Sequence, residues 1–349
     1  MIDVKRVIKN IKEYKDGIYY GPGSGYWSNL DKSKNRDYLK DLNALGSEKT
    51  VRKYFPEHED AIFPLKRAGG MATLDICESD TILDAGCMWG ALSVPLARAK
   101  ADVIAVDQTE ESLRLLKQRK LEERLENMHL VRANLKEINF HDGIFSKVIV
   151  NGVLEWLPEQ GDIEVNNFIK GSRQLFTNVK KIFSKDTKER PIDEQRRFLK
   201  KLHASLNEEG CLYLAIENRY NIFYFLGLRE EHCGIRFISL LPRFVQDRLS
   251  ILLKGRRFRT WTHSKKELKE LLYSAGFSRV EMFYAFPDYK EPDFILSEKR
   301  GMDFFRYNKS IGKKPVYKKV ILRLIEEIIF RRLRCAFFAP SFIAHAYKK

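Results

Sequence analysis

The sequence lacks the features that mark membrane, secreted or disulfide-stabilised proteins. No run approaches the ~18 consecutive apolar residues of a membrane span, and the opening 17 residues have no apolar core of the kind signal peptides carry. The five cysteines are scattered and form no C-x-x-C pair, which argues against a disulfide framework or a zinc site. Repeats and low-complexity tracts are also missing. We therefore expect a globular cytoplasmic protein with reduced thiols.

Acidic residues are scarce in the carboxyl-terminal third. The chain has a net charge of +16, and residues 251–349 contribute 23 Lys and Arg against 10 Asp and Glu. Such a basic region indicates an anionic neighbour, such as nucleic acid, an acidic glycan or a lipid surface. A solvated basic face without a dedicated partner explains the same charge equally well.

What the chain does contain is a regular alternation of buried strands and amphipathic helices. Strands are predicted at 101–107, 128–134, 146–153, 211–218, 279–286 and 341–347, and helices at 110–125, 195–210 and 263–277. Ser264 and Glu267 form a plausible capping box for the last of these helices, and Gly210 is expected to stop the helix before it. Strand–helix alternation predicts parallel βαβ units, hence an α/β fold with a doubly wound, mostly parallel sheet.

Four regions follow from this pattern. Residues 1–75 are expected to form a helical cap segment, 76–218 the ligand-binding core, 219–262 an insertion over the active site, and 263–349 the part that completes the sheet. Residues 287–316 are predicted as loop. A basic amphipathic helix is predicted at 317–335, and it suggests either peripheral membrane contact or packing against the sheet domain.

The stretch TILDAGCMWGALSVPLARA (81–99) predicts a strand, a glycine turn and a helix. Glycines at such a turn let a ligand approach the backbone at the positive end of a helix. The dinucleotide pattern G-x-G-x-x-G is not met, because Gly86 and Gly90 are separated by three residues. Asp84 suits an ammonium or hydroxyl, and Asp107 ends the next strand, where an acid binds a ribose diol. Together they indicate a nucleoside with a cationic amino-acid tail.

Three motifs resemble those of class I methyltransferases that use S-adenosylmethionine. LDAGCMWGALSVPLA is similar to their first motif, LDxGCGxGxxxxxLA, and VIAVD to their second. SKVIVNGVLEWLP (146–158) resembles their fourth-strand segment, FDxVxxxxVLEHxP. The resemblance covers roughly residues 75–220 and implies a Rossmann-like, seven-stranded methyltransferase fold with S-adenosylmethionine as cofactor.

The resemblance also implies cofactor-binding residues. They are Asp84, Gly86, Cys87 and Gly90 in the first turn, Asp107 and Gln108 after the second strand, Asn134 after the third and Asn151 after the fourth. Asn134 stands where an Asp commonly meets the adenine amino group. Met88 replaces the middle glycine of the family pattern, and we expect it to contribute its backbone. Trp89 is expected to begin the helix.

A finer resemblance extends to the end of the chain. AIENRYNIFYFLG, EEHCG, SLLPRF, RTWTHS and FPDYKEP are similar to segments of a bacterial methyltransferase group associated with surface-glycan biosynthesis. This implies a small-molecule or glycan acceptor, with methylation at a hydroxyl or an amine. It does not identify that acceptor, because a fold does not determine a substrate.

Acceptor-side residues are expected beyond the carboxyl ends of the strands. We predict His232 as the catalytic base, with His263 and Glu155 as further candidates, and Glu217, Arg219 and Tyr220 as substrate-binding residues. Three of them have a plain alternative: His232 as a surface loop histidine, Glu155 as a structural hydrogen-bond acceptor, and Arg219 in a salt bridge to the insertion. The aromatic residues Tyr19, Tyr20, Tyr26 and Trp27 either cover the cofactor or belong to the core.

No metal is expected. Metal-dependent relatives carry an E-x-x-E-H arrangement after the fourth strand, and Gly152–Trp156 lacks the first Glu and the His. Two other functions compete with glycan or small-molecule methylation. The net charge motivates an RNA methyltransferase, whereas NGVLEW does not match the [DN]-P-P-[YFW] segment of amino-directed DNA enzymes. Met88 and Asn134 are the only support for a non-catalytic binding protein.

Overall fold

One mixed sheet organises the fold in the computed structural model, which describes residues 2–23, 32–63, 65–159, 189–299, 303–306, 324, 326–333 and 335–349. The described strands are β1 (Glu13–Lys15), β2 (Ile18–Tyr20), β3 (Thr81–Ala85), β4 (Asp102–Asp107), β5 (Met128–Arg132), β6 (Phe145–Asn151), β7 (Leu206–Glu217), β8 (Arg279–Phe286), β9 (Phe294–Ser297), β10 (Asp303–Arg306) and β11 (Ser341–Tyr347). These eleven described strands lie in the order β1-β2-β5-β4-β3-β6-β7-β11-β8-β9-β10.

The helices lie in the connections and in the cap. Those described are α1 (Lys32–Leu45), α2 (Ser47–Tyr54), α3 (Glu59–Ile62), α4 (Ser93–Arg98), α5 (Glu110–Glu123), α6 (Pro191–Ser205), α7 (Ile222–Phe225), α8 (Arg243–Lys254) and α9 (Lys265–Ser274). Helix α9 begins with the predicted capping box, in which Ser264 accepts the Glu267 N–H and Glu267 accepts the Ser264 N–H.

The middle of the sheet confirms the predicted α/β class. Strands β5, β4, β3, β6 and β7 are mutually parallel, and β11 runs antiparallel between β7 and β8. The prediction of seven strands describes this central part only. The hairpin β1–β2 extends one edge, where β2 pairs with β5 in parallel, and β9 and β10 extend the other.

Both faces of the central strands are covered, which explains their continuous apolar runs. Ile82 of β3 and Val103 of β4 belong to the core on one face, whereas the next residue of each strand, Leu83 and Ile104, belongs to the core on the other. All four side chains are fully buried. Alternation of side chains along a strand therefore divides one apolar run between two cores.

The cap segment forms a third apolar cluster with the turn after β3. Tyr38 of α1 and Phe55 pack with Trp89, and the Tyr38 hydroxyl donates to the Glu111 carbonyl at 2.9 Å. Trp89 thus points into the cap, although it does not begin the helix as predicted: α4 begins at Ser93. The expectation for 1–75 omitted the β1–β2 hairpin, whose strands are too short to show a periodic pattern.

Two further boundary predictions are wrong. Helix α6 ends at Ser205, and Gly210 lies inside β7, because pairing with β6 already begins at Leu206. The predicted loop 287–316 contains β9 and β10. Of the predicted helix 317–335, the structure describes only part, in which Glu326–Arg332 forms π-helical turns. The remainder lies outside the described residues, and membrane contact there stays a prediction. Within the described ranges, no helix has both the length and the apolar content needed to cross a bilayer.

Asn218 connects the end of β7 to the segment that leads into β11. Its side chain is fully buried, and Nδ2 donates to the carbonyls of Phe337 and Ala339, each at 2.8 Å. Its Oδ1 accepts the Tyr220 N–H at 2.9 Å. All polar atoms of the amide are thereby satisfied.

We expect Asn218→Asp to lower the free energy of unfolding by about 2–4 kcal/mol at neutral pH, because a buried carboxylate would face two carbonyl oxygens. Urea denaturation measures the change. Asn10→Asp is the matched control: Asn10 makes the same kind of contacts, to Glu137 and Asn139, at a partly exposed position. It should cost about 1 kcal/mol or less. Equal losses in the two variants would contradict the importance of burial.

Candidate functional site

A cavity of about 700 Å³ opens at the carboxyl ends of β3, β4 and β6. Its size lies within the ~300–1,000 Å³ typical of small-molecule sites. Most of the predicted cofactor residues line it, namely Asp84, Gly86, Cys87, Asp107, Gln108 and Asn151. The ends of parallel strands meet at one edge of the sheet, and this convergence brings these residues together.

The two glycines of the turn after β3, Gly86 and Gly90, pack against different neighbours that leave no room for a side chain. Both have positive φ, +87° at Gly86 and +76° at Gly90. A Cβ on Gly86 would lie 2.4 Å from Cγ2 of Val153, and a Cβ on Gly90 would lie 2.1 Å from Cδ1 of Leu116. Gly90 therefore packs against α5 and is not among the cavity-lining residues, contrary to its predicted role in cofactor contact.

Met88 occupies a backbone conformation that favours glycine. Its φ is +43°, and its N–H donates to Oδ2 of Asp107 at 2.9 Å. The side chain packs against the apolar cluster of the cap. The backbone of Met88 thus joins the turn to β4, as expected for a residue that replaces a glycine.

Two buried carboxylates form the polar part of this wall. Asp84 accepts the Ser93 hydroxyl at 2.5 Å, and burial, reinforced by the nearby Asp107, raises the pKa of Asp84 to about 6. Asp107 accepts the N–H of Thr109 at 2.8 Å in addition to that of Met88. Burial raises the pKa of Asp107 as well, although these N–H groups oppose the shift.

Asn134 does not take the place that the sequence predicts. Its Oδ1 accepts the Lys136 N–H at 2.9 Å, and its own N–H donates to the Pro22 carbonyl at 2.9 Å. The cavity wall at this point is formed by Ala133. The amide side chain closes a local turn, which is a common use of Asn after a strand.

His232 lines the cavity and belongs to an acidic cluster, defined here as Glu155, Glu217 and His232; the two glutamates are not among the residues that line the cavity. Glu155 follows β6, Glu217 ends β7 and His232 comes from the insertion, and one ligand atom from each lies within 4.8 Å of the others. His232 lines the cavity together with Trp156, which packs edge-on against it at 4.6 Å between ring centroids.

The two carboxylates of the cluster are poorly satisfied. Glu155 is completely buried, and among the described residues no N–H or hydroxyl group donates to either of its oxygens; the carboxyl group of Glu217 lies beside it. Glu217 accepts the Tyr289 hydroxyl at 3.2 Å and the Lys290 ammonium at 3.1 Å, both at Oε1. Its Oε2 has no partner in the described part of the chain.

The environments of these groups shift their proton affinities in opposite directions. Burial and the charge of Glu217 raise the pKa of Glu155 well above its ordinary value. Burial also acts to raise the pKa of Glu217, but the charges of Lys290 and His232 lower it overall. Burial alone would lower the pKa of His232, whereas its hydrogen bond to Glu230 and the nearby carboxylates raise it to about 9. In this arrangement His232 carries a proton at neutral pH.

The other predicted acceptor-side residues lie away from the cavity. His263 is buried, its Nε2 is 2.8 Å from Oε1 of Gln195, and burial lowers its pKa to about 3. Arg219 donates to the carbonyls of Ser239 and Leu241 and pairs with Glu267 at 3.0 Å, so it holds the insertion. Tyr220 stacks on Phe337. None of these three is among the described residues that line the cavity.

Sequence reasoning missed Lys290 and Tyr289, which contact Glu217, and Arg67, which lines the cavity. FPDYKEP already carried the finer resemblance and could have indicated the first two. Of the aromatic group at 19–27, Tyr19 and Tyr20 belong to β2 and are not among the cavity-lining residues described. Tyr26 and Trp27 lie outside the described residues.

Comparison with known proteins agrees with the geometry of the first turn. Residues 82–170 match the protein family described as a methyltransferase domain. A probable ribosomal RNA small subunit methyltransferase A from Methanosphaera stadtmanae is 31% identical over 122 residues, which are 35% of this chain. The chain spans only 36% of that relative's length.

Solved methyltransferase structures resemble the chain over most of its length at low identity. One from Mesorhizobium loti, dependent on S-adenosylmethionine, has a TM-score of 0.45 at 14% identity, covering 82% of this chain and 99% of its own. The phosphoethanolamine N-methyltransferase 2 of Haemonchus contortus has a TM-score of 0.46 at 10% identity, covering 89% and 59%. The family match thus assigns residues 82–170 to a methyltransferase domain, and the motifs of its first turn resemble those of domains that use S-adenosylmethionine.

The buried wall of the cavity fits this cofactor. Asp84 and Asp107 offer carboxylates in a water-poor site, and Gly86 leaves no room for a side chain where the turn meets Val153.

We expect Met88→Gly to change the dissociation constant of S-adenosylmethionine by less than tenfold, because the N–H that bonds Asp107 is retained. Glycine adopts the left-handed conformation without strain, which should stabilise the fold by roughly 1 kcal/mol. This gain offsets the stability lost when the packed Met88 side chain is removed. Met88→Ala is the control, since it removes the side chain and keeps the strain. Calorimetry and thermal unfolding measure both effects. Binding tightened more than tenfold in the glycine variant would show that Met88 obstructs the site.

We expect the affinity for S-adenosylmethionine to fall as pH drops through 6. The ionised form of Asp84 is the one that accepts a hydrogen bond from an ammonium or hydroxyl group. Because its pKa is raised to about 6, a proton occupies it below that pH and must be displaced by the ligand. Below pH 6 the association constant should therefore decrease as the pH is lowered, approaching a tenfold loss for each pH unit.

Titration calorimetry between pH 5 and 8 tests this dependence. Asp84→Asn should bind weakly at every pH and lose most of the slope near pH 6, while Asp80→Asn, in the ion pair with Lys147 outside the cavity, should keep it. A flat wild-type profile over this range would contradict a contact with ionised Asp84.

Proposed function

We propose that the protein transfers the methyl group of S-adenosylmethionine to a hydroxyl or amine of a glycan or related small-molecule acceptor. The observation that carries this proposal is one continuous cavity, whose walls include Asp84 and Asp107 at one part and His232 and Trp156 at another. The cofactor supplies a methyl group on a positively charged sulfur. The residues of the chain would hold, orient and desolvate the reacting groups.

On the cofactor side, Asp84 and Asp107 would accept hydrogen bonds from the amino-acid tail and the ribose. Gln108 and Asn151 lie on the same wall and add polar groups to it. These carboxylates are fixed before the ligand arrives, because Ser93, Met88 and Thr109 already donate to them. A fixed polar wall lowers the cost of ordering the ligand.

On the acceptor side, His232 is our proposed general base. Its Nδ1 is hydrogen-bonded to Glu230, which orients the ring and leaves Nε2 for the acceptor. Because the pKa of His232 is about 9, the base form becomes more populated as pH rises toward that value. Glu230, and after it Glu217, stabilises the charged form of His232.

Two observations support a glycan-like or acidic acceptor. His232 and Lys290 come from EEHCG and FPDYKEP, the segments that resemble the surface-glycan group, and both line the cavity. Arg67 and Arg256 line it as well and add positive charge suited to a carboxylate or phosphate on the acceptor.

An RNA acceptor is the second candidate. The relative from Methanosphaera stadtmanae is named as a probable ribosomal RNA methyltransferase, and the net charge of +16 suits a polyanion. Steeply salt-dependent binding to RNA, with methylated nucleosides formed in vitro, would favour this candidate over a glycan.

We expect radiolabelled methyl groups to pass from S-adenosylmethionine to glycans extracted from the source cells and not to total RNA offered in parallel. His232→Asn should lower the turnover rate about 100-fold or more, the usual contribution of a general base, with cofactor affinity unchanged. His141→Asn is the matched control, since His141 is exposed and remote from the cavity. Unchanged turnover in His232→Asn would exclude it as the base, and labelled RNA alone would support the second candidate.

A further inference from the structure

The acidic cluster has the composition and spacing of a metal site. Glu155, Glu217 and His232 each offer one ligand atom, and these atoms lie within 4.8 Å of one another. Ions bound at about 2.0–2.6 Å from each ligand hold their ligand atoms at up to roughly twice that separation. The three residues therefore surround a position that one divalent ion can share.

The unsatisfied oxygens are an independent sign of a ligand. Glu155 is completely buried, and among the described residues no N–H or hydroxyl group donates to either of its carboxylate oxygens. Oε2 of Glu217 is buried without a described partner as well. Burial of a carboxylate without a compensating partner is costly, and a cation between these oxygens removes that cost.

Neighbouring residues hold the cluster as an outer shell holds metal ligands. Glu230 is hydrogen-bonded to Nδ1 of His232, which leaves Nε2 to coordinate. Tyr289 and Lys290 both contact Oε1 of Glu217, which leaves Oε2 as its available atom. His232 and Glu217 are thus each oriented through the atom that the ion does not need, and Glu155 has both oxygens available.

Charge at this position also favours a cation. Glu155, Glu217, Glu230 and Glu231 supply four carboxyl groups, against the ammonium of Lys290, which pairs with Glu217 and Glu231, and the imidazole of His232, which must release its proton to coordinate an ion. Two carboxylates with one imidazole form an oxygen–nitrogen donor set that suits Mn²⁺, with Zn²⁺ and Mg²⁺ as competitors, and no thiolate belongs to the set.

We propose that Glu155, Glu217 and His232 bind one divalent metal ion, of the Mn²⁺ class, at the acceptor side of the cavity. The ion would connect the insertion, through His232, to the ends of β6 and β7. Its position beside Trp156 and Lys290 would let it order the wall that faces the acceptor. An ion bound at Nε2 of His232 would occupy the nitrogen that the proposed function gives to the acceptor, so the ion and that base role exclude each other, whereas cofactor binding at Asp84 and Asp107 does not depend on the ion.

Manganese titration of the full-length protein tests the proposal without cofactor or acceptor. After treatment with a chelator and dialysis, free Mn²⁺ is measured by its room-temperature electron paramagnetic resonance signal. We expect one bound ion per chain, with affinity reduced at least tenfold in each of Glu155→Gln, Glu217→Gln and His232→Gln. Glu231→Gln is the matched control, because it removes a nearby carboxylate that is not a ligand, and it should change the affinity less than threefold.

A second measurement covers variants that fail to fold. Bound Mn²⁺ should raise the midpoint of thermal unfolding of the wild type in a concentration-dependent way. Pulsed electron paramagnetic resonance should also detect the nitrogen of the coordinating imidazole coupled to Mn²⁺, and this signal should disappear in His232→Gln. Absence of Mn²⁺, Zn²⁺ and Mg²⁺ binding to the wild type would overturn the proposal. So would binding that all three ligand variants retain. Either result would leave the methyltransferase proposal standing, because that is tested by cofactor binding and transfer.

Discussion

The carboxylate of Asp107 determines the shape of the cofactor turn. It accepts N–H groups from Met88 on one side and Thr109 on the other, so it joins the turn after β3 to the start of α5. This bond helps to keep a non-glycine residue at φ +43°. The turn can therefore close with a methionine in place of the middle glycine, whose side chain then packs against the cap. The backbone of the turn thus accommodates the loss of the middle glycine, and Met88 remains among the residues that line the cavity.

The central strands, and the meeting of Asp84, Gly86, Asp107 and Asn151 at one cavity, were predictable from sequence because they depend on local patterns. Strands buried on both faces give continuous apolar runs, and β8 and β11 have the predicted bounds. The edge strands were not predictable: β2 and β9 are short, and neither shows a periodic pattern. Gly90 illustrates a subtler limit, since its glycine is required by Leu116 and not by a ligand.

The acceptor side was only partly predictable because its contacts join distant segments. Sequence placed Glu155, Glu217 and His232 near the active site but could not show that their ligand atoms converge. The expectation of no metal rested on a contiguous motif, whereas the observed cluster takes one residue from each of three segments. Arg219 shows the reverse case. Its position after β7 suggested substrate binding. Its guanidinium instead donates to the carbonyls of Ser239 and Leu241 and pairs with Glu267.

The two sides of the cavity satisfy their buried charges differently, and this difference suggests how the protein divides its tasks. Asp84 and Asp107 are stabilised by groups next to them in the turn and in the helix starts, which belong to the core of the fold. Glu217 and His232 depend on side chains from the insertion and from the segment after β8, namely Glu230 and Lys290. In the function proposed here, cofactor binding would be tied to the sheet, whereas acceptor recognition would be tied to segments that can vary without disturbing it. Substitutions in the insertion should therefore alter acceptor choice more than cofactor affinity.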